Sequence, residues 1–240
     1  NVINPITGEL FSIPSLDMGG YADLRFILRE GGSMGDLYSR TDLRRDANGA
    51  IYMDESNNVY TQKIDNPDSY IKLGSVLPKG NLAWRNNFMW KNFHVGFMIS
   101  ARLGGVVFSR TQAVLDKFGV SEASADARDN GFVLINGNDR INPENWYTTV
   151  GSTAVPQYYT YSATNVRLQE ASIGYTIPRK WLANICDIKV SLIGRNLWMI
   201  YNKAPFDPEA VASTDNFYQG IDNFMMPSLR NVGFSLNFKF

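Results

Sequence analysis

Within the last eleven residues of the chain, Arg230–Phe240, polar and apolar residues alternate without a break from Asn231 onwards. The positions of one parity are all apolar: Val232, Phe234, Leu236, Phe238 and Phe240. A period of two predicts a β-strand with one apolar and one polar face. A strand of about 9–11 residues is long enough to cross an outer membrane at a tilt. The pattern favours a membrane strand, and the last strand of a soluble sandwich stays open as the alternative.

The most regular alternation upstream covers Phe93–Leu103. It follows a second strand-like segment, Asn81–Trp90, in which the aromatic residues share one face. Only Lys91 and Asn92 separate the two segments, which predicts a tight β-hairpin.

Two more predicted strands lie between this hairpin and the C-terminal strand. Ile188–Trp198 alternates regularly, whereas the apolar phase of Asn165–Thr176 slips by one residue in its middle. A β-bulge near Gln169 and Glu170 accounts for the slip.

The connections between these four strands and the C-terminal strand alternate in length. Residues 104–163 and 199–229 are long, whereas 91–92 and 177–187 are short. Short turns at one end and long loops at the other are typical of an outer-membrane β-barrel. The sequence therefore predicts an all-β fold of antiparallel membrane strands.

The remaining segments are less regular. Residues 104–163 have no sustained alternation, but Arg110–Phe118 and Glu122–Arg128 have helical composition, the second with Ser121 as N-cap. In the first eighty residues, Tyr21–Arg29 and Asp36–Arg40 are predicted strands, and 41–77 is a predicted long loop.

Composition restricts the function classes. The 23 basic and 23 acidic residues balance, which excludes the charge footprint of a nucleic-acid-binding protein. The sequence holds no apolar run of about 18 residues that would make a membrane helix. Its one cysteine, Cys186, allows no intrachain disulfide. The chain opens on Asn1 without a signal peptide, so we expect a piece of a longer protein.

Catalytic and metal-binding patterns are missing from the sequence. It contains no Ser/His/Asp arrangement, no paired-carboxylate spacing and no phosphate loop, so we expect no enzymatic activity and no cofactor. Asp46, Asn48 and Gly49 match part of a calcium loop, but the distant Glu is absent and a plain turn is favoured. One histidine, His94, cannot make a metal site by itself.

Several short motifs occur in the order found in one family of transporters. They span most of the chain: REGGSMGDLY (29–38), WKNFHVGFMISARLGG (90–105), NVRLQEASIGYTIP (165–178), GRNLW (194–198), APFDPE (204–209) and GIDNFMMPSLRNVGFSLNFKF (220–240). On these motifs the chain resembles the C-terminal part of a SusC/RagA-type TonB-dependent outer-membrane transporter.

The resemblance implies a fold and a function. The fold is the C-terminal portion of a large transmembrane β-barrel of about 22 strands, with residues 1–240 as one barrel segment and with long extracellular loops that carry short helices. The function is TonB-dependent import of an oligosaccharide or peptide across the outer membrane of a Gram-negative bacterium. The implied partners are a SusD-like surface lipoprotein, the TonB complex through an N-terminal part that lies outside this sequence, the rest of the barrel and membrane lipid.

Two other functions stay open on the residues alone. A soluble carbohydrate-binding β-sandwich would share the strands and the exposed aromatic residues. The two differ in the surroundings of the apolar strand faces, which meet lipid in a barrel and a second sheet in a sandwich. An unrelated barrel such as a porin would differ from the transporter in lacking a plug domain.

Three groups of residues are candidates for function. An aromatic cluster in the long loop is predicted to face a ligand or partner, with internal packing as the alternative: Trp146, Tyr147, Tyr158, Tyr159 and Tyr161. Polar-face residues are predicted to face the barrel lumen, with structural ion pairing as the alternative: His94, Arg102, Arg167 and Arg195. The terminal aromatic residues Phe238 and Phe240 are predicted to be a barrel-assembly signal.

Overall fold

The computed structural model describes residues 2–3, 5–8, 10–11, 14–151, 154–182, 185–213, 215 and 218–239. Over these residues the first half contains the strands β1 (Val2–Ile3), β2 (Leu10–Phe11), β3 (Ser15–Tyr21), β4 (Leu24–Arg29), β5 (Asp36–Ser39), β6 (Thr41–Leu43), β7 (Thr61–Lys63), β8 (Ile71–Ser75), β9 (Gly80–Trp90), β10 (Phe93–Leu103) and β11 (Val106–Ser109). The elements that follow are α1 (Arg110–Lys117), α2 (Glu122–Asn130), β12 (Val133–Ile135), β13 (Asp139–Ile141), α3 (Pro143–Val150), β14 (Thr160–Ser162), β15 (Asn165–Ile177), β16 (Asp187–Asn202), β17 (Ile221–Asp222) and β18 (Asn231–Lys239). Short 3₁₀ turns cover Pro67–Ser69, Pro156–Tyr159 and Arg179–Trp181.

The chain divides into two compact units. One consists of residues 1–77, 106–161 and 211–225, and we call it the mixed unit. The other consists of residues 78–105, 162–210 and 226–240, and we call it the sheet unit. The sequence predicted one barrel segment over residues 1–240. The long alternating strands of that prediction lie in the sheet unit.

The sheet unit is one antiparallel sheet with the strand order β18-β16-β15-β10-β9. The predicted hairpin is present, and Lys91 takes the positive φ of 52° that its two-residue turn requires. The short connection between β15 and β16 contains a single 3₁₀ turn at Arg179–Trp181. These strand predictions are confirmed.

The predicted bulge is also present. The pairing of β15 with β16 shifts register between Leu168 and Glu170, and its pairing with β10 shifts opposite Met98 and Ile99. The extra residue returns the apolar side chains of β15 to one face of the sheet. Strand β16 runs on to Asn202, four residues past the predicted end, because β15 continues to pair with it up to Asn165.

The mixed unit holds the main hydrophobic core of the described residues. Its centre contains side chains from the sheet β3-β4-β5-β8, from β11 and from helices α1 and α3, including Leu24, Phe26, Leu37, Phe108, Ala113 and Val150. The apolar residues of these short elements are buried together, so this unit packs as a globular domain does.

One predicted strand of the mixed unit is wrong at its start. Tyr21–Arg29 is not continuous, because Ala22 takes a φ of 51° and turns the chain between β3 and β4. Tyr21 closes the preceding strand, which the sequence analysis missed, and the strand proper begins at Leu24.

The two long loops predicted here are more ordered than expected. Residues 104–163 contain α1 and α2, with Ser121 capping α2 as predicted, but also α3 and four short strands. Helix α3 begins with Asn142 as N-cap, whose side chain accepts from the Glu144 N–H. Residues 41–77 likewise contain β6, β7 and β8. None of the described helices is long and apolar enough to span a membrane.

Candidate functional site

The sheet unit has one face that is apolar across all five strands. The register aligns Phe88, Val95, Ile173, Leu192 and Phe234 in one row from β9 to β18. All five side chains are exposed, and Phe234 keeps 77% of its surface open. The next apolar row towards the short turns continues this surface, with Trp90, Phe93, Val190 and Leu236 exposed. Such an area of exposed apolar surface needs an apolar environment or partner.

Exposed tryptophans lie on this face and beside its short turns. Trp90 ends β9 beside the short turn, and Trp181 lies in the short connection between β15 and β16. Trp84 and Trp198 lie together in a different row of the sheet. The register relates them through the cross-strand pairs Trp84–Ile99, Ile99–Leu168 and Leu168–Trp198. Amphipathic rings at the ends of apolar strands are typical of membrane-interface positions.

The opposite face of the same sheet is polar and charged. The Glu170 carboxylate lies 2.8 Å from the guanidinium of Arg85 and 3.5 Å from that of Arg195. Register places Glu170 directly opposite Arg195, so the pair follows from strand pairing. His94 Nε2 lies 2.8 Å from the Thr176 hydroxyl.

Arg167 is the centre of the most buried charge network on this face. Its side chain is 2% exposed, and Nη2 lies 2.8 Å from Asp207 Oδ1 and 3.3 Å from Glu209 Oε2. Its other guanidinium nitrogens donate to Asn165 Oδ1 at 3.4 Å and to Asn196 Oδ1 at 3.3 Å. A buried guanidinium is tolerated here because two carboxylates and several amide oxygens surround it.

The Arg167 network joins both ends of the connection between β16 and β18. Asp207 accepts from the Ser228 N–H at 3.1 Å, and Asn196 donates to the Ser228 carbonyl at 2.9 Å. Asn202 holds the first turn of the connection by donating to the carbonyls of Ala204 and Phe206. The segment 203–210 is therefore fixed against the polar face of its own sheet.

The pKa of Asp207, which lies outside the strands, is lowered. Burial alone would raise this pKa, but hydrogen bonds from Ser228 and Arg167 outweigh it. Asp207 is thus held as the carboxylate that Arg167 needs. Sequence reasoning missed Asp207 and Glu209 as site residues, although the Asp-Pro-Glu triplet at 207–209 is a visible signal.

The predicted lumen-facing residues all lie on the polar face. Arg167 and Arg195 are in ion pairs, as the alternative interpretation expected. Arg102 is half-buried opposite Asn81 and Asn165. That these residues line a lumen stays a prediction.

The five aromatic candidates divide by burial. Trp146 and Tyr159 are buried in the core of the mixed unit, and Tyr147 and Tyr161 pack against that core. Tyr158 is the most exposed of the five and meets Trp146 edge-on, with ring centroids 5.4 Å apart. Burial, and then the negative charge of Asp116, raise the pKa of Tyr159. Trp146 and Tyr159 thus have the packing role that the sequence left open.

The predicted assembly signal is described only in part. Phe238 is exposed on the apolar face and pairs with Ile188 of β16. Phe240 lies outside the described residues.

The partial calcium motif forms turns. Asp46 accepts from the N–H groups of Asn48 and Ala50 within its own turn, and Asp54 repeats this arrangement eight residues later with Ser56 and Asn58. Over the described ranges, no group of three or more His, Cys, Asp or Glu residues is placed to hold a metal ion.

Asp54 offers a test of this turn geometry. The Tyr60 hydroxyl donates to its carboxylate at 2.7 Å and, with the N–H of Asn58, lowers the pKa of Asp54 to about 2. Tyr60→Phe should raise that pKa towards 3.8, the ordinary value, whereas Tyr52→Phe should leave it unchanged. Because the folded pKa is the lower one, these bonds stabilise the turn above about pH 4 and are lost as the pH falls towards about 2. NMR titration of aspartate carboxyl carbons measures the pKa of Asp54 in both variants. An unchanged pKa in Tyr60→Phe would contradict the hydrogen bond from Tyr60 as its cause.

A sequence comparison relates this chain to a TonB-dependent receptor. The chain is 27% identical over 207 residues to TonB-dependent receptor P3 of Formosa agariphila, a match that covers 81% of this chain. The resemblance to a TonB-dependent transporter is confirmed. The match covers 19% of that receptor, so this chain spans about a fifth of the length of the curated receptor it matches. No protein-family model matches the chain.

Solved structures share the fold of this chain. A chain of the RagAB peptide importer in its closed-closed state aligns with 98% of this chain at a TM-score of 0.61 and 15% identity, over 26% of its own length. A chain of the open-open state aligns with 94% at a TM-score of 0.58 and 12% identity, over 28% of its length. The predicted fold class, a portion of a large antiparallel β-barrel, is confirmed, and the five strands of the sheet unit form an open part of it.

Proposed function

We propose that this chain forms part of the wall and the long loops of a TonB-dependent transporter in the outer membrane of a Gram-negative bacterium. The observation that carries the proposal is the sheet unit, which is apolar and exposed on one face and charged on the other. The apolar face suits contact with lipid, and the charged face suits contact with a hydrated lumen. Strands of 9 to 16 residues are long enough for the crossing.

The exposed apolar face argues against the soluble β-sandwich. In a sandwich, Val95, Leu192 and Phe234 would pack against a second sheet about 10 Å away. These side chains are instead exposed. A soluble protein with this surface would aggregate.

The proposed cargo and partners rest on the resemblance. We propose import of an oligosaccharide or a peptide, assisted by a SusD-like lipoprotein and driven by TonB. The solved structures with this fold are of a peptide importer, and the relative from Formosa agariphila is a TonB-dependent receptor, which supports transport rather than catalysis. Residues 1–240 would contribute C-terminal strands of the barrel, and the loops would contribute the partner-facing surface.

Fractionation and uptake test the proposal together. The complete gene product should sediment with outer membranes, require detergent to dissolve, and copurify with a surface lipoprotein. Deleting its gene should abolish uptake of one class of oligosaccharide or peptide, and a plasmid copy should restore it. Recovery of the complete product as a detergent-free, monodisperse monomer would exclude the membrane wall.

Phe240 gives a separate test of the assembly signal. Such a signal is a strand edge that pairs with the assembly machinery, with the terminal aromatic filling a pocket. Deleting Phe240 should lower the heat-resistant folded fraction in the membrane without changing the amount of protein synthesised. Replacing Lys239 with Gln, beside it on the polar face, serves as the control. An unchanged folded fraction after deletion would mean that the terminus carries no assembly signal.

A further inference from the structure

An open groove lies on the apolar face of the sheet unit, beside the tight turn between β9 and β10. Its walls are Phe88, Trp90, Phe93 and Val95, all exposed, and its volume is about 320 Å³. We call it the aromatic groove. Trp90 and Phe93 stack with ring centroids 6.5 Å apart, and the ring of Tyr175 meets Phe93 edge-on at 4.8 Å. Ring contacts therefore hold the walls of a groove that is apolar and aromatic throughout.

A cation lies at the turn end of the aromatic groove. Lys91 follows Trp90 in the turn, is exposed, and places its Nζ 5.1 Å from the centroid of the Trp90 ring. No carboxylate of the described residues forms an ion pair with Lys91. Because a cation–π contact at an exposed site is weak, the ammonium group is available to an anion.

The end of the sheet unit that contains the short turns is basic. It consists of residues 89–94, 175–189 and 236–239. Its described charged residues are five cations and one carboxylate: Lys91, Arg179, Lys180, Lys189, Lys239 and Asp187. The carboxylate is already paired, since Arg179 Nε lies 3.2 Å from Asp187 Oδ2. Basic and acidic residues balance at 23 each over the whole sequence, so this excess of positive charge is local.

We propose that the aromatic groove binds an acyl chain of an anionic phospholipid, whose phosphate lies against Lys91. The proposal rests on the proposed function, because it requires the apolar face to meet membrane lipid. Short turns lie on the periplasmic side of an outer-membrane barrel, so this phospholipid belongs to the periplasmic leaflet. Interfacial rings such as Trp90 lie at the headgroup boundary, and Lys91 extends one residue beyond it. The groove and the cation thus follow the order of acyl chain and headgroup in a leaflet.

Charge favours an anionic headgroup over a zwitterionic one. Lys91 can contact the phosphate of either, but the positive group of a zwitterionic headgroup would meet the local excess of cations. Lys180, next to the exposed Trp181, places a second cation beside an interfacial ring at the same end of the sheet. Basic residues at the membrane surface are the chemistry that attracts anionic lipids. A free phosphate would use only the ammonium group, whereas a phospholipid uses both the rings and the ammonium group.

Native mass spectrometry of the complete protein in mild detergent tests the site. The probes are dioleoyl phosphatidylglycerol and dioleoyl phosphatidylcholine, which share their acyl chains and differ in headgroup charge. We expect the protein to retain phosphatidylglycerol at lower lipid concentrations than phosphatidylcholine. Lys91→Asn should weaken this retention about fivefold, whereas Lys91→Arg should preserve it. Asn tolerates the positive φ of 52° at this position, so the turn should still form. Phe93→Ala should weaken the retention of both lipids, because it removes a wall of the groove.

Lys189→Gln is the matched control. Lys189 lies at the same end of the sheet but on the polar face, where it is aligned with Thr176 and Asn237. Its substitution removes the same charge away from the groove, so retention of phosphatidylglycerol should change by less than about twofold.

Three results would overturn the proposal. The first is equal retention of the two lipids by the unchanged protein, and the second is an equal loss in Lys91→Asn and Lys189→Gln. The third is a protein that copurifies in equal amount and is lost in Phe93→Ala while lipid retention stays the same. Fractionation separates these results from the proposed function, because a product that sediments with outer membranes and requires detergent without showing headgroup preference rejects only the lipid site.

Discussion

Phe234→Arg should destabilise the folded protein by about 2–4 kcal/mol, the cost of a cation on the lipid face near the bilayer midplane. Phe234 ends the apolar row that crosses all five strands of the sheet unit, and its side chain is the most exposed in that row. If this face meets lipid, the guanidinium must enter hydrocarbon or drag water with it. Denaturant titration of the complete protein in lipid vesicles measures the difference in free energy of unfolding between Phe234→Arg and the unchanged protein.

Ser235 provides the matched control on the same strand. It pairs with Ser191 on the polar face, so Ser235→Arg places the same guanidinium on the side proposed to be hydrated. We expect a cost below about 1 kcal/mol there. Equal costs for Phe234→Arg and Ser235→Arg would mean that the two faces have the same surroundings, which no membrane barrel has.

The strands of the sheet unit were predictable because their two faces have different surroundings. When one face is apolar and the other polar, each strand carries a period of two that can be read without its neighbours. Phe93–Leu103 was predicted at its observed bounds for this reason. The bulge at Gln169 was visible as a phase slip, but the extension of β16 to Asn202 depends on pairing with β15, which no local pattern encodes.

The mixed unit was less predictable because its elements are short and buried. Strand β5 is buried at all four positions, so it carries no alternation. The turn between β3 and β4 uses Ala22 at positive φ rather than Gly or Asn, which removes the usual turn signal. Helix α3 had a readable start, an Asn N-cap followed by Pro143, and was missed among the turn residues around it.

The polar-face site was predictable only in part. Strand parity places Arg167 on the polar face, and composition suggests an ion pair. Its partners Asp207 and Glu209 lie forty residues or more along the chain, in a connection that folds back onto the sheet. The position of this connection depends on hydrogen bonds from Asn202 and Asn196, which cannot be predicted from strand periodicity.

Arg167→Met should be the most costly single substitution in the sheet unit. The guanidinium is 2% exposed, and its removal leaves the Asp207 carboxylate with little solvent and without its cation. Breaking a buried pair in this way costs about 3–5 kcal/mol. Segment 203–210 should also lose its attachment to the polar face, so its amide hydrogens should exchange faster. Denaturant titration and hydrogen exchange of the complete protein measure the two effects.

Arg195→Met is the control that separates the effect of burial from the effect of losing a charge. Arg195 also pairs with a carboxylate, at 3.5 Å, but its side chain is 68% exposed, so we expect a loss of about 0–1 kcal/mol. Adding Asp207→Asn to Arg167→Met should recover part of the stability, because the stranded charge is the main cost. Lowering the pH should do the same in the single variant, since a carboxylate that has lost Arg167 is more easily protonated when buried. If Arg167→Met costs no more than Arg195→Met, the buried network does not hold the connection between β16 and β18 in place.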